Sequence, residues 1–426
     1  MLATATEHTG RAARGRHVLA IQDTTELNFS HHMESKRDFG VVGNGRDLGV
    51  FLHPVIVVDA GRRGARGVGH AGGLIGLADA FFYIRKAKAK QRKKKAKKGK
   101  QKPKGSRKRG APLRDRTRPI AERESRRWVN GVEAAGRVLR EAAMVTVIAD
   151  RESDIYDVFA TPRPAHVHVL VRAIHDRALV DGTRLFDGMS SRPHVEGPKV
   201  RIPAKPGRAA RVSATRVAWT EVEIERPRRT YAARGLPEKL TLRALHVEEV
   251  DPPPGAEPVT WLLLTTHEIA DIADAMEIVE WYRARWTIEQ VFRTLKTQGF
   301  NLEESQVETR AVLEKLATAV LIAALRTMQL VQAREGDTGQ ALSDAIEAED
   351  EPLVEALVGK LEGKTEKLKC PHPRGNLARL TWVVARLGGW SGYKSKGYKP
   401  PGPKTIAYGL ERFDAMKQGW RLSRNV

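Results

Sequence analysis

The stretch Glu277–Lys296, EIVEWYRARWTIEQVFRTLK, contains neither glycine nor proline. Its apolar residues recur at three- and four-residue steps, which is the period of one face of a helix. The spacing therefore predicts a single helix of more than five turns. With successive residues rotated by about 100°, four polar side chains fall within a sector of about 60°. They are Tyr282, Arg285, Glu289 and Lys296.

The neighbouring face of this helix carries Ile288, Phe292 and Leu295. We expect this face to pack on a core and to hold the polar stripe at the edge of a cleft. A single carboxylate among cations suits a metal ligand that faces phosphates. The alternative is an amphipathic surface helix with an internal Glu289–Arg293 ion pair, and helical spacing leaves both interpretations open.

The pattern Tyr-x2-Arg-x3-Glu-x6-Lys resembles the signature of the IS4 family of bacterial insertion-sequence transposases, and its surroundings are most similar to the Tn5 branch. The resemblance implies a DDE transposase in which Glu289 is the third catalytic carboxylate. It also implies that Tyr282, Arg285 and Lys296 bind DNA phosphates beside the scissile bond.

Two further acids follow predicted strands. Asp23 follows an apolar run that begins at His17, and Asp150 follows the run MVTVIA, Met144–Ala149. α/β folds build sites where a strand ends and a helix begins. A turn or strand-capping role for Asp23 fits the local sequence equally well.

The resemblance implies more for these acids, because IQDTTELNFS and Asp-Arg-Glu-x-Asp match the family's first and second catalytic motifs. Asp23 and Asp150 are then the first two catalytic carboxylates. We expect Glu152 and Asp154, in the second motif, to favour a helix dipole. Together with Glu289, the two catalytic acids would hold two Mg²⁺ or Mn²⁺ ions, since hard cations prefer oxygen ligands.

Other segments resemble the family as well. Arg123–Trp128, RESRRW, is similar to a family segment in which Lys is usual at the first position. The resemblance assigns Arg172 to the DNA backbone and Trp261 to stacking on a flipped base. For Trp261, a place in the hydrophobic core is the alternative.

The predicted fold class is α/β, with an RNase H-like catalytic core of a mixed sheet and flanking helices. The core is expected over 1–173 and 259–334, interrupted by a β-rich insertion over 174–258. A C-terminal helical region over 335–426 is a candidate for dimerisation or synapsis. Only 22 residues precede Asp23, so the helical end-binding domain of Tn5-like transposases is expected to be lacking.

The formal net charge is +23, and a run over 85–109 supplies sixteen Lys or Arg without an acid. We expect this run to be a disordered loop that binds phosphate backbones without reading sequence. Nucleic acid is therefore the expected partner.

Cys370 is the only cysteine, which excludes an internal disulfide framework and a Cys-based zinc cluster. The apolar run Leu316–Leu325 is too short to span a bilayer, and the N-terminus lacks a signal-peptide pattern. A soluble protein without membrane contact, cytoplasmic and associated with the nucleoid, is predicted.

The predicted function is metal-dependent DNA strand cleavage, through a hairpin intermediate, and strand transfer of an insertion sequence. The expected partners are insertion-sequence ends and target DNA, bound by a homodimer in the synaptic complex. The alternative is a truncated, non-catalytic DNA-binding or inhibitory partner of a full-length transposase. A basic RNA-binding protein is a weaker alternative, because it would not need three acids at these places.

Overall fold

The computed structural model describes residues 1–31, 36–43, 45–61, 72–85, 120–202, 209–227, 235–392 and 399–424. The lysine-rich run predicted to be disordered lies, apart from Arg85, outside the described residues.

Strands and helices alternate through the first two thirds of the chain, and helices follow. The described strands are β1 (His17–Gln22), β2 (Thr25–Asn28), β3 (Gly40–Val42), β4 (Asp47–Asp59), β5 (Leu74–Tyr83), β6 (Met144–Ala149), β7 (Val167–Arg172), β8 (Val195–Glu196), β9 (Val200–Ile202), β10 (Arg211–Ser213), β11 (Thr215–Glu225), β12 (Lys239–Glu249) and β13 (Thr260–Thr265). The described α-helices are α1 (Leu2–Ala12), α2 (Arg126–Val138), α3 (Tyr156–Ala160), α4 (Leu185–Ser190), α5 (Ile272–Ala284), α6 (Trp286–Lys296), α7 (Arg310–Ala333), α8 (Glu351–Leu361), α9 (Leu377–Leu387) and α10 (Pro403–Arg424).

One mixed sheet organises the protein. Its first part has the order β5-β4-β1-β6-β7, in which β6 and β7 run parallel to β1 and β4 runs antiparallel. Among β4, β1, β6 and β7, only β4 runs in the opposite direction. This strand order and these directions are those of an RNase H-like core. The predicted fold class is confirmed, with helices on both faces of the sheet.

The strands after β7 extend the same sheet. β13 pairs antiparallel with β7, and β12, β11 and β8 follow outward in that order. The segment predicted to be β-rich thus contributes its long hairpin, β11 and β12, to the edge of the main sheet. Strands β9 and β10 form a separate two-stranded sheet.

The helix predicted over Glu277–Lys296 is divided in two, so the prediction of a single helix is wrong. Arg285 separates α5 from α6 while keeping helical backbone angles, φ −50° and ψ −31°. The hydrogen bonds around it tighten to three-residue spacing: its N–H donates to the Tyr282 carbonyl, and its own carbonyl accepts from the Ile288 N–H. Short 3₁₀ stretches inside helices often mark functional positions.

Both faces of the sheet are covered by apolar side chains. On one face α5, α6 and α7 pack through residues that include Ile288 and Leu295, each fully buried, as expected for the apolar face of the predicted helix. On the other face α2 packs through Trp128, which is 1% exposed. The end of α7 joins α8, α9 and α10 in a third cluster.

Helix α7 is long and apolar enough to cross a membrane by length and composition. The run Leu316–Leu325, which is too short by itself, lies within it. More than half of its most apolar window is buried inside the fold, where α7 packs on β5, α6 and α10. Among the described residues it is the one helix that meets this criterion.

A histidine cluster lies at the start of β1, at the opposite end from Asp23. Thr146 Oγ1 is 2.8 Å from His17 Nε2 and 2.8 Å from His267 Nε2, and the His168 ring stacks on His267 at 4.0 Å. Burial, and secondarily the charge of His168, lowers the pKa of His17 to about 4. The same two causes, with a further contribution from His17, lower the pKa of His267 to about 2. These rings are therefore neutral in the folded protein.

We expect the melting temperature to fall as the pH drops from about 6.5 towards about 4. An unfolded histidine takes up a proton near pH 6.5, whereas the folded ones do so only at lower pH, so acid favours the unfolded state. Thermal melts across this range should show a smaller pH dependence for His267→Gln than for the wild type. His31→Gln, which alters an exposed ring, is the matched control, and an equal pH dependence in all three proteins would contradict the prediction.

Candidate active site

The ends of β1 and β6 lie side by side, because the two strands are parallel neighbours in matched register. Asp23 and Asp150 each follow the strand end at equivalent positions. Neighbouring strands are about 4.8 Å apart, so the two predicted acids lie side by side at the carboxyl ends of these interior strands. Asp23 Oδ1 accepts a hydrogen bond from the Thr24 N–H at 2.7 Å, and Asp150 Oδ1 accepts one from the Glu152 N–H at 2.9 Å.

Arg285 links Glu289, the third predicted acid, to these strand ends. Its Nη1 lies 3.0 Å from Asp23 Oδ2, and its Nη2 lies 2.9 Å from Glu289 Oε1. One guanidinium, 17% exposed, therefore joins the first strand to the interrupted helix. The ion pair of Glu289 is with Arg285 and not with Arg293, the partner in the simpler interpretation of the helix.

The pKa of Asp23 reflects the crowding of acids. Burial is the main cause that raises it to about 7, and the charges of Asp150 and Glu289 act in the same direction. Arg285 and the Thr24 N–H oppose the rise. Carboxylate oxygens are the ligands that Mg²⁺ and Mn²⁺ prefer, so the chemistry of these side chains suits the predicted ions.

A buried arginine links the loops that follow the two strands. Arg127, 6% exposed, donates from Nε to Thr24 Oγ1 at 3.0 Å and from Nη2 to Glu152 Oε2 at 2.9 Å. Thr24 Oγ1 is also 2.8 Å from Nδ1 of the buried His53. No role for Arg127 or His53 was predicted from the sequence. The available signal was the place of Arg127 in the RESRRW segment.

The role predicted for Asp154 is wrong. Asp154 is 1% exposed, and its Oδ2 accepts hydrogen bonds from the backbone N–H groups of Ile174 and His175 at 2.8 and 2.9 Å. It also forms an ion pair with Arg177. Asp154 therefore anchors the chain where it leaves β7 and does not act on a helix dipole. Glu152 lies in a short 3₁₀ helix and pairs with Arg127.

Three of the residues predicted to bind DNA lie together beside the acids. The rings of Trp261 and Tyr282 meet edge to face with centroids 5.7 Å apart. Arg172 Nη2 donates to the Thr260 carbonyl at 3.1 Å. Burial raises the pKa of Tyr282, and the charges of Arg285 and Arg172 oppose that rise. Trp261 is half-buried against the main apolar cluster.

Lys296 lies apart from this group. It stands at the end of α6, about 16 Å along the helix from Arg285 at 1.5 Å per residue. Its Nζ donates to the Glu26 carbonyl and lies 3.4 Å from Glu303 Oε1. The residues predicted to contact DNA thus flank the acids on two sides.

The strand order and the acids at its strand ends place the chain in the RNase H-like class of α/β proteins. The model of the transposase DDE domain family matches residues 52–326, more than half of the chain. The chain therefore belongs to the transposase DDE domain family. The match includes Asp150 and Glu289 and begins after Asp23.

The chain is also similar to a solved structure described as a piggyBac transposase synaptic complex with hairpin DNA, determined by cryo-EM. The identity is 9%, the TM-score is 0.36, and the similarity covers 90% of this chain and 55% of the other. The chain spans little more than half the length of that protein.

We expect divalent-ion binding at the three acids to strengthen as the pH rises to about 7 and then to level off. Below its raised pKa Asp23 is protonated, and a proton must leave before the carboxylate can ligate. The Mn²⁺ affinity should change by about tenfold per pH unit below this value, since one proton is released. Titration calorimetry from about pH 6 to about pH 8 measures this dependence. Asp23→Asn should remove the step near pH 7, and a flat profile in the wild type would refute the assignment.

Proposed function

We propose that this chain is a DNA transposase of the IS4 family, close to its Tn5 branch, which cleaves DNA strands and transfers the released ends to target DNA. The observation that supports this most strongly is that Asp23 and Glu289 both pair with the Arg285 guanidinium, at the strand ends where Asp150 also lies. These three acids come from parts of the sequence 127 and 139 residues apart.

Asp23, Asp150 and Glu289 are proposed to hold two Mg²⁺ or Mn²⁺ ions. When bound, such a pair supplies an activated nucleophile and stabilises the oxygen that departs from a phosphodiester. The two aspartates directly follow the neighbouring strands β1 and β6, and the helix α6 carries the glutamate. Arg127 keeps the two aspartate loops at a constant separation through Thr24 and Glu152.

Arg285 is proposed to exchange its partners during the reaction. Without DNA it offsets the charge of Asp23 and Glu289. Once those carboxylates ligate cations, the guanidinium is available to a phosphate oxygen, for which its planar donors are well suited. The three-residue hydrogen bonds at Arg285 place it between the helices α5 and α6.

Tyr282, Arg172 and Lys296 are proposed to bind the DNA backbone on the two sides of the scissile bond. Trp261 is proposed to stack on a base extruded from the duplex, in a step that forms a hairpin at the transposon end. Aromatic stacking offsets part of the energy needed to unpair and unstack such a base. A half-buried ring, fixed by Tyr282 on one side, suits this task.

The wider assembly also belongs to the proposal. The partners are insertion-sequence ends and target DNA, the active form is a homodimer, and the region 335–426 contributes to synapsis. The core regions 1–173 and 259–334, with the inserted segment 174–258, form the catalytic part. The protein is expected in the cytoplasm, associated with the nucleoid.

Replacing Glu289 with Ala should abolish DNA cleavage while leaving DNA affinity unchanged or higher. The change removes one proposed ligand and one negative charge near phosphates, and it frees one side of the Arg285 guanidinium. Metal-dependent nicking and binding should be measured on DNA carrying the terminal repeats of the element.

Glu304→Ala, which changes an exposed glutamate, is the control and should cleave normally. Full cleavage by Glu289→Ala would remove Glu289 from the proposed active site. If the wild-type chain binds the repeats but never nicks them, the non-catalytic alternative is supported.

Replacing Trp261 with Ala should slow hairpin formation and leave the initial nick unaffected. Stacking is worth roughly 1–3 kcal/mol per base, so the slowing should be roughly five- to 150-fold. Trp261→Phe should recover part of the rate, because it keeps an aromatic face. Time courses of nicked and hairpin products measure both steps.

Trp128→Ala serves as the comparison for a core tryptophan, with an expected loss of about 3–5 kcal/mol. If Trp261→Ala lowers the melting temperature as much as Trp128→Ala does and slows both steps equally, Trp261 is a core residue.

A further inference from the structure

A second group of ligand-type side chains lies on the extended part of the sheet. His246 and Glu248 alternate along β12 and therefore share one face, and His194 immediately precedes the edge strand β8. One ligand atom from each of the three lies within 4.8 Å of the others, and all three residues are half-buried. The function proposed above does not use them.

The sheet register explains why the two imidazoles meet. His246 lies opposite Ala218 on the intervening strand β11, and Val195, next to His194, lies opposite Val217. His194 and His246 thus flank Ala218 in one row across three strands. The short alanine side chain leaves room above it, where the two rings approach to a centroid distance of 5.1 Å.

The hydrogen bonds restrict the tautomers of the two rings. His194 Nδ1 is 2.7 Å from the Arg192 carbonyl, which can only accept, so Nδ1 carries the proton of the neutral ring. The lone pair of its Nε2 then faces His246 Nδ1 at 2.9 Å. His246 Nε2 is 3.0 Å from Thr260 Oγ1. When it donates to that hydroxyl, two lone pairs face the same space, which is an arrangement that a cation stabilises.

These partners are those of a metal-binding histidine pair. Histidine ligands usually donate their second nitrogen to a carbonyl or another oxygen, which fixes the tautomer and the ring orientation. Glu248 is oriented as well, because Arg216 contacts its Oε2 from Nε at 2.9 Å and from Nη2 at 2.7 Å. The ligand atom would be its other oxygen, Oε1.

We propose that His194, His246 and Glu248 bind one Zn²⁺ ion, with water as the fourth ligand. Two imidazoles and one carboxylate form a common zinc set, whereas Mg²⁺ prefers oxygen ligands throughout. Zn–N bonds of about 2.0–2.1 Å in a tetrahedron place the nitrogens about 3.3 Å apart. The rings need to part by only about 0.4 Å to accept the ion.

The ion would clamp the edge of the sheet. Strand β8 is two residues long and forms two register pairs with β11, so it is weakly held by backbone hydrogen bonds alone. Zn²⁺ would tie it to β12, two strands inward. Through His246 and Thr260 the clamp also reaches β13 beside Trp261.

The test uses the full chain, treated with EDTA and then titrated with Zn²⁺ alone. Calorimetry should detect one Zn²⁺ ion that persists in Asp150→Asn, a change at the separate three-acid site, and Zn²⁺ should raise the melting temperature. Co²⁺, which absorbs visible light, should give a tetrahedral spectrum. His194→Ala and Glu248→Gln should each weaken Zn²⁺ binding by at least about tenfold.

Two further variants control for folding and for surface binding. Thr260→Val keeps the side-chain shape but loses the hydroxyl and should weaken Zn²⁺ by about tenfold. His175→Ala removes an exposed histidine and should leave affinity unchanged. Equal Zn²⁺ affinity in the wild type, His194→Ala and Glu248→Gln would overturn the proposal, and so would loss of all Zn²⁺ binding in Asp150→Asn.

Discussion

The ion bridge from Asp23 through Arg285 to Glu289 is the interaction on which the arrangement of the candidate active site depends. Buried charges are stable only when they are paired, and losing one partner leaves the other uncompensated. The bridge connects the first strand to a helix more than 260 residues later in the chain, so it can form only after the sheet and helices have packed. Site geometry and global folding are therefore linked through one guanidinium.

Much of the sheet could be predicted from local sequence. Met144–Ala149 is a strand with the predicted bounds, because β-branched residues fill it and an acid ends it. The helix Leu377–Leu387 lies within the region 335–426, which was predicted to be helical. Asp23 and Asp150 could be placed at strand ends, but their meeting required the parallel pairing of β1 and β6, which periodicity does not reveal. Glu289 came from the spacing of a motif, since the helical pattern alone left its role open.

The features that were missed are those set by tertiary contacts. Nothing in the composition of Glu277–Lys296 forecasts an interruption at Arg285, because arginine is a good helix former and the hydrogen bonds that tighten there accompany long-range ion pairs. Asp154 has the local features of a residue at the start of a helix, yet its hydrogen bonds go to Ile174 and His175. The N-terminal helix α1 packs on β5, and the apolar pattern of its sequence is too weak to predict a helix there.

The continuous pairing from β1 through β6 and β7 to β13 fixes the distance between β1 and β13. Three steps of about 4.8 Å separate β1, which directly precedes Asp23, from β13, which carries Trp261, and they amount to about 14 Å. Backbone hydrogen bonds hold the span constant. In the proposed transposase, the distance from the cut to the extruded base would therefore be set by the spacing of β1 and β13 in the sheet and not by a flexible loop.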